Sequence, residues 1–128
     1  MNQKSLSAVV LLPLAATSGA TRTGTGTDIG AGYGNIGRRE VRVRCAAYLD
    51  ANTTNVDFAV QENTTSASAG FAAVAVGTTN ADITTTGSTD IFCVPSKRYL
   101  RVIATYSGTT ASGNSYAEVY LENREITS

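Results

Sequence analysis

REVRVRCAAYLDANTTNVDFAVQE, residues Arg39–Glu62, carries two successive alternations. From Val41 to Leu49 the odd positions (Val41, Val43, Cys45, Ala47, Leu49) are apolar, and the even ones hold Arg42, Arg44, Ala46 and Tyr48. That is the period of a strand with one buried face. The turn-forming run Asp50–Asn55 follows. Alternation then resumes with Val56, Phe58 and Val60 inward and Asp57, Ala59 and Gln61 outward. The stretch reads as a β-hairpin, and it sets the fold class.

Downstream the same period recurs in shorter pieces. Phe71, Ala73 and Ala75 interleave with Val74 and Val76; Gly77–Asp90 is a long polar connection; Ile91–Val94 is a short strand ended by Pro95. Lys97–Thr105 is the second long strand, with Leu100, Val102 and Ala104 on one face, and Ser115–Glu122 closes the set with Ala117, Val119 and Leu121 inward. No window carries a helical stripe, and the 128 residues include 19 Thr, 18 Ala and 12 Gly against nine aromatics. A core of small residues, short strands and turn signals implies an all-β antiparallel β-sandwich or jelly roll.

Residues 1–20 combine a lysine, the apolar run Leu6–Ala16 and small residues at Ser18–Ala20, which resembles a secretory leader interrupted at Pro13. The preferred reading is a first strand, Ser5–Leu12, closed by Pro13. Leu6, Ala8, Val10 and Leu12 share one face, and Val9 and Leu11 on the other are left for a neighbour to cover. The run is too short for a transmembrane helix. Residues 15–38 are rich in Gly, Thr and Ala. They read as an extended arm that needs an external template, because such side chains bury little apolar area against the cost of ordering the backbone. One structural domain therefore divides into an N-terminal strand and arm, 1–38, and a β-sandwich, 39–128, expected to keep its own fold.

Chemistry is sparse. The chain has no histidine, so the commonest general base and metal ligand is missing. Cys45 and Cys93 fall inside expected strands and read as buried, reduced thiols. Asp50, Asn52, Asn55 and Asp57 offer oxygen ligands without the spacing of a calcium loop. Gly32–Gly37 matches the dinucleotide glycine pattern formally, but neither the strand before it nor the helix after it is present. The reading is a protein without enzymatic activity, cofactor or metal. Lys plus Arg equals Asp plus Glu at ten each, which gives no reason to expect nucleic acid. Seven basic residues nevertheless cluster in two blocks, Arg38, Arg39, Arg42, Arg44 and Lys97, Arg98, Arg101. They read either as solvated strand faces paired with acids or as one docking patch at an end of the sandwich.

The arm TGTGTDIGAGYG, the strand REVRVRCAAYLD, the segment VDFAVQEN, the strand and loop RYLRVIATYSGTT and the closing SYAEVYLEN follow one another in an order that resembles small structural proteins of tailed bacteriophages. The resemblance implies a capsid decoration (cement) protein bound to the outer surface of the virion head. Its partner would be the major capsid protein, and it would form a homo-oligomer, a trimer before a dimer, assembled in the host cytoplasm without membrane or nucleic acid. The candidate partner contacts are Val9, Leu11, Arg22, Asp28, Tyr33, Arg39, Arg42, Arg44, Arg98 and Arg101. The alternatives are a tail or fibre adaptor component, or a secreted carbohydrate-binding β-sandwich using Tyr33, Tyr48, Tyr116 and Tyr120 to stack on sugars.

Overall fold

The computed structural model describes residues 4–16, 21–29, 40–66, 69–108 and 113–124. Among them are eleven strands and no helix: β1 (Lys4–Ala16), β2 (Thr21–Thr23), β3 (Thr27–Asp28), β4 (Val41–Leu49), β5 (Thr53–Asn63), β6 (Ala72–Ala73), β7 (Val76–Gly77), β8 (Asn80–Ile83), β9 (Gly87–Val94), β10 (Tyr99–Gly108) and β11 (Gly113–Arg124). Two antiparallel sheets pack face to face. One runs β1-β11-β4-β9-β7; the other has the path β2-β10-β5-β6, with β3 also on β10 and β8 also on β5. The pairings nest as β5 with β8, β4 with β9, β2 and β3 with β10, and β1 with β11. That ribbon is rolled so that β11 meets β4 and β10 meets β5. The connectivity is a jelly roll.

The core is the set of inward rows. Val41, Val43 and Cys45 of β4 stand beside Ile91 and Cys93 of β9 and Ala117 and Val119 of β11. They face Val56, Phe58 and Val60 of β5 and Leu100, Val102, Ala104 and Tyr106 of β10. Both cysteines are free and buried. Burial pushes each thiol up to about 12, so neither is a nucleophile at neutral pH.

Four expectations change. Arg39–Glu62 does not form a hairpin: β4 and β5 lie in opposite sheets. Alternation reports which side of a strand is buried, and it is the same whether the next strand pairs alongside or crosses over the core. The turn belongs to the crossing. The Asp50 carboxylate accepts from Asn52 N at 3.0 Å and Thr53 Oγ1 at 2.9 Å, and Thr53 N donates to the Asp50 carbonyl at 3.2 Å.

The first strand does not stop at Pro13, because β1 is a sheet edge where a missing N–H costs no ladder bond. Its register against β11 shifts between Val10 and Leu12 and again between Leu12 and Ala15. The first bulge turns Leu11 and Leu12 both into the core and leaves Val10 outside. Leu11, expected at a partner, is thus a core residue, and Val9 packs against the core's edge.

Residues 21–29 are held by the sandwich itself. Thr21–Thr23 and Thr27–Asp28 pair with β10, Gly24 N donates to Val102 O at 2.8 Å, and Ile29 is buried. Gly24 sits so close to β1 that an added Cβ would collide with the Leu11 carbonyl oxygen. Within the described residues, 4–16 and 21–29 are therefore integral to the sandwich.

Finally, the 71–76 run splits into β6 and β7 on different sheets around buried Val74. The polar connection after it contains β8, whose Ile83 is buried.

Candidate functional site: the outer face of the five-stranded sheet

Among the described residues, the large apolar side chains left in solvent are Leu14 (69 % exposed), Tyr48 (57 %), Phe92 (47 %), Val10 (44 %) and Val76 (39 %). Register places Val10, Tyr48, Val76 and Phe92 on one face, and Leu14 joins them by lining a cleft with Ala46 and Tyr48. Arg42 lies between Tyr120 and Phe92, Arg44 between Glu118 and Asp90, Ala46 between Tyr116 and Ser88, and Tyr48 beside Asn114. Val10 stands opposite Glu118 and Val76 opposite Val94, one position past Cys93. The outer face of the other sheet carries no strongly exposed large apolar side chain among the described residues. Thr23, Ile103, Ala59 and Asn80 make one row, and Thr105, Asp57 and Asp82 the next.

The charges on the apolar face are spent on one another. Arg44 Nε donates to Asp90 Oδ1 at 3.1 Å, and Arg42 Nη1 lies 3.9 Å from Asp90 Oδ2. The Arg42 guanidinium also sits 4.3 Å from the Tyr120 ring centroid. Glu118 accepts from two tyrosines, Tyr116 at 2.6 Å on Oε2 and Tyr120 on Oε1. These hydrogen bonds, Tyr116 first, hold the Glu118 carboxyl below its ordinary range, with Arg44 and Arg42 adding to the effect. In return Tyr116 is pushed up to about 12 and Tyr120 is raised. The result is a neutral, pre-paired band across the middle of the face. Apolar groups flank it: Phe92, Val94 and Val76 at one end, Leu14 and Tyr48 at the other. At that second end a shallow cleft of about 470 Å³ is lined by Leu14, Ala46, Tyr48, Thr86, Gly87 and Asn114.

The expected contact residues divide. Arg42 and Arg44 are on this face. Arg101 belongs to β10 in the other sheet, and Arg98 immediately precedes that strand. Arg98 forks onto Asp28 at 2.9 and 2.6 Å, and Arg101 donates to Gln61 at 2.8 Å with its guanidinium 4.4 Å from the Phe71 ring centroid. Arg42 and Arg44 therefore share no surface with Arg98 and Arg101, and Asp28 serves an ion pair within the chain. Arg22 is an internal clamp, bonded to the Pro13, Ala15 and Ser115 carbonyls and to Ser115 Oγ at 2.7–3.1 Å. Tyr33, Arg38, Arg39 and the Gly32–Gly37 pattern lie outside the described residues.

The oxygen-rich turn does not converge on a cation either. The Asp50 carboxylate is occupied within its own turn, whereas Asp57 points outward opposite Asp82. There desolvation, and then the Asp82 charge, raises the Asp57 carboxyl. Among the described residues no group of three or more metal-ligating side chains occurs.

Phe92, Leu14, Val10 and Val76 escaped the sequence reading. For Phe92 the signal was present: a large apolar residue between two inward ones, Ile91 and Cys93, must face outward. Leu14 and Val76 have exposed neighbours on both sides and carry no such signal. No family model, curated protein or solved structure matches the chain.

Proposed function

We propose that this protein is a non-enzymatic structural component of a phage virion, of the capsid decoration (cement) type. On this reading it packs against another protein surface through the outer face of its five-stranded sheet. The observation that carries the association is the gathering of every strongly exposed large apolar side chain among the described residues onto that one face, since apolar surface concentrated on one side, unlike singly scattered residues, marks an association surface. The pre-paired charges fit the same use: Arg42, Arg44, Asp90 and Glu118 can be covered without stranding an unpartnered ion. The placement on a virion rests on the sequence resemblance, and viral capsid proteins are among the users of jelly rolls, an analogy at the level of fold alone.

A sugar-binding surface fits less well. Tyr48 is exposed enough to stack, but only Asn114 and Thr86 bring polar side chains to its cleft, and both Glu118 oxygens are taken by tyrosines. Immunogold labelling of native particles tests the proposal, with label expected on the outer surface of the head. Label confined to tails, or protein recovered only free in the medium and bound to glycans, would overturn it.

A further inference from the structure

Where the Proposed function leaves the covering surface open, the register of the face identifies one. We infer that the outer face of the five-stranded sheet packs against the same face of a second copy, around a two-fold axis that lies in the interface and crosses the strands. This rests on the reading of that face as an association surface; it does not depend on the virion assignment.

The argument is one of self-complementarity. The outward positions of β4 are Arg42, Arg44, Ala46 and Tyr48, so the centre of the face lies between Arg44 and Ala46. Their rows run through Asp90 and Glu118 and through Ser88 and Tyr116. An axis at that centre lays each half of the face over the other half of its mate. Arg44 then meets Ala46, Arg42 meets Tyr48, Glu118 meets Tyr116 and Asp90 meets Ser88. Every ionised group of the band opposes a neutral one, and none meets its like. The ends fit by shape as well. Phe92 projects from β9 at one end, and the cleft lined by Thr86, Gly87 and Tyr48 opens at the other. The same rotation brings the Phe92 ring of each copy over the cleft of its partner, twice per dimer. This is the arrangement a closed isologous pair requires.

The area suffices. The four long strands β1, β11, β4 and β9, spaced about 4.8 Å apart and paired over about nine residues at about 3.3 Å each, offer roughly 570 Å² per copy, and twice that clears the ~1,000 Å² expected of a specific interface. The other outer face has no such match: it carries no strongly exposed large apolar side chain among the described residues, and covering it would desolvate the opposed Asp57 and Asp82 together.

Sedimentation velocity of the full chain at micromolar concentration should give a dimer. Phe92→Asp should raise the dimer dissociation constant by roughly 30-fold or more, the scale of a buried aromatic anchor. Ile103→Asp, on the other sheet's outer face, should leave it unchanged, with circular dichroism confirming that both variants fold. A short bis-maleimide should join copies of Ala46→Cys, because Cys45 and Cys93 are buried and unreactive. It should not join copies of Asp57→Cys. A wild-type monomer or trimer, or a dimer indifferent to Phe92→Asp, overturns the inference and leaves the virion reading to the labelling experiment. A dimer with no label on particle heads does the reverse.

Discussion

The guanidinium of Arg22 holds the seam between the two sheets. It projects from β2 of one sheet and donates to Pro13 O and Ala15 O, where the β1 register slips, and to both oxygens of Ser115 on β11. Those carbonyls lie at a bulged edge where the ladder is interrupted, and a planar fork can span them. Removing a charged donor from such a set costs about 2 kcal/mol, and the expected result for Arg22→Ala is a loss of that size in chemical denaturation. Arg22→Lys should recover less than half, since one ammonium nitrogen with three donors cannot reach all four acceptors that Nη1 and Nη2 share between them.

A second consequence at this scale concerns pH. Glu118 has a lowered folded pKa, so its contribution is present above the ordinary carboxylate value of 4.5 and fades as pH falls through the lowered one. Tyr116 works in the opposite sense. Its contribution is intact below the ordinary tyrosine value of 10 and is lost as pH rises toward about 12. The melting-temperature difference between wild type and Tyr116→Phe should therefore be widest on the plateau between those limits and shrink at both ends. A difference that does not vary with pH would mean that the Tyr116–Glu118 bond contributes nothing in solution.

Among the elements, β1 separates the two accounts of the N-terminal region. Leu11 and Leu12 are each 1 % exposed, and deleting a strand that carries two buried leucines removes several kcal/mol of core packing. A chain beginning at residue 39 should therefore lack a cooperative thermal transition; sharp two-state melting of that fragment would show β1 to be dispensable. Strand existence was legible for β4, β5, β10 and β11, because six to nine successive alternating positions fit no helical period. Pairing was not legible. The inward row of β4 would look the same beside β5 or across the core from it, and only the opposite sheet's register decides. The bulges of β1 were equally hidden, since SLSAVVLLPLA alternates in neither phase throughout. The missed β8 is four residues long with a single buried side chain, Ile83, too little for a periodic signal. The face singled out above was half visible: Arg42 and Arg44 were noticed for their charge, while Phe92 was taken only as part of an apolar strand.

At the scale of the molecule, the two faces of the sandwich differ in kind. One carries the opposed Asp57 and Asp82 and, among the described residues, no strongly exposed large apolar side chain; the other is apolar at both ends and electrically settled in the middle. Asp82→Asn should raise stability at neutral pH by about half a kcal/mol, the scale of like charges opposed across a sheet. The gain should vanish in acid, where protonation of Asp57 relieves the same repulsion.

The nested pairing also implies an order in time. Val56 meets Ile83 after a short excursion of chain, Val41 meets Cys93 after a longer one, and Lys4 meets Arg124 only across nearly the whole length. Each doubling of the loop to be closed costs about 0.6 kcal/mol when closed from the open chain, but a ribbon that zips from the inside closes only small increments. Pulse-labelled hydrogen exchange during refolding should thus find the amides of β5 and β8 protected first and those of β1 and β11 last. Until β1 arrives, Leu11 and Leu12 are absent and the core rows they cover remain wet. The newborn protein passes through a stage that is sticky along its unfinished flank, and crowding of refolding chains should divert them into aggregates at that stage.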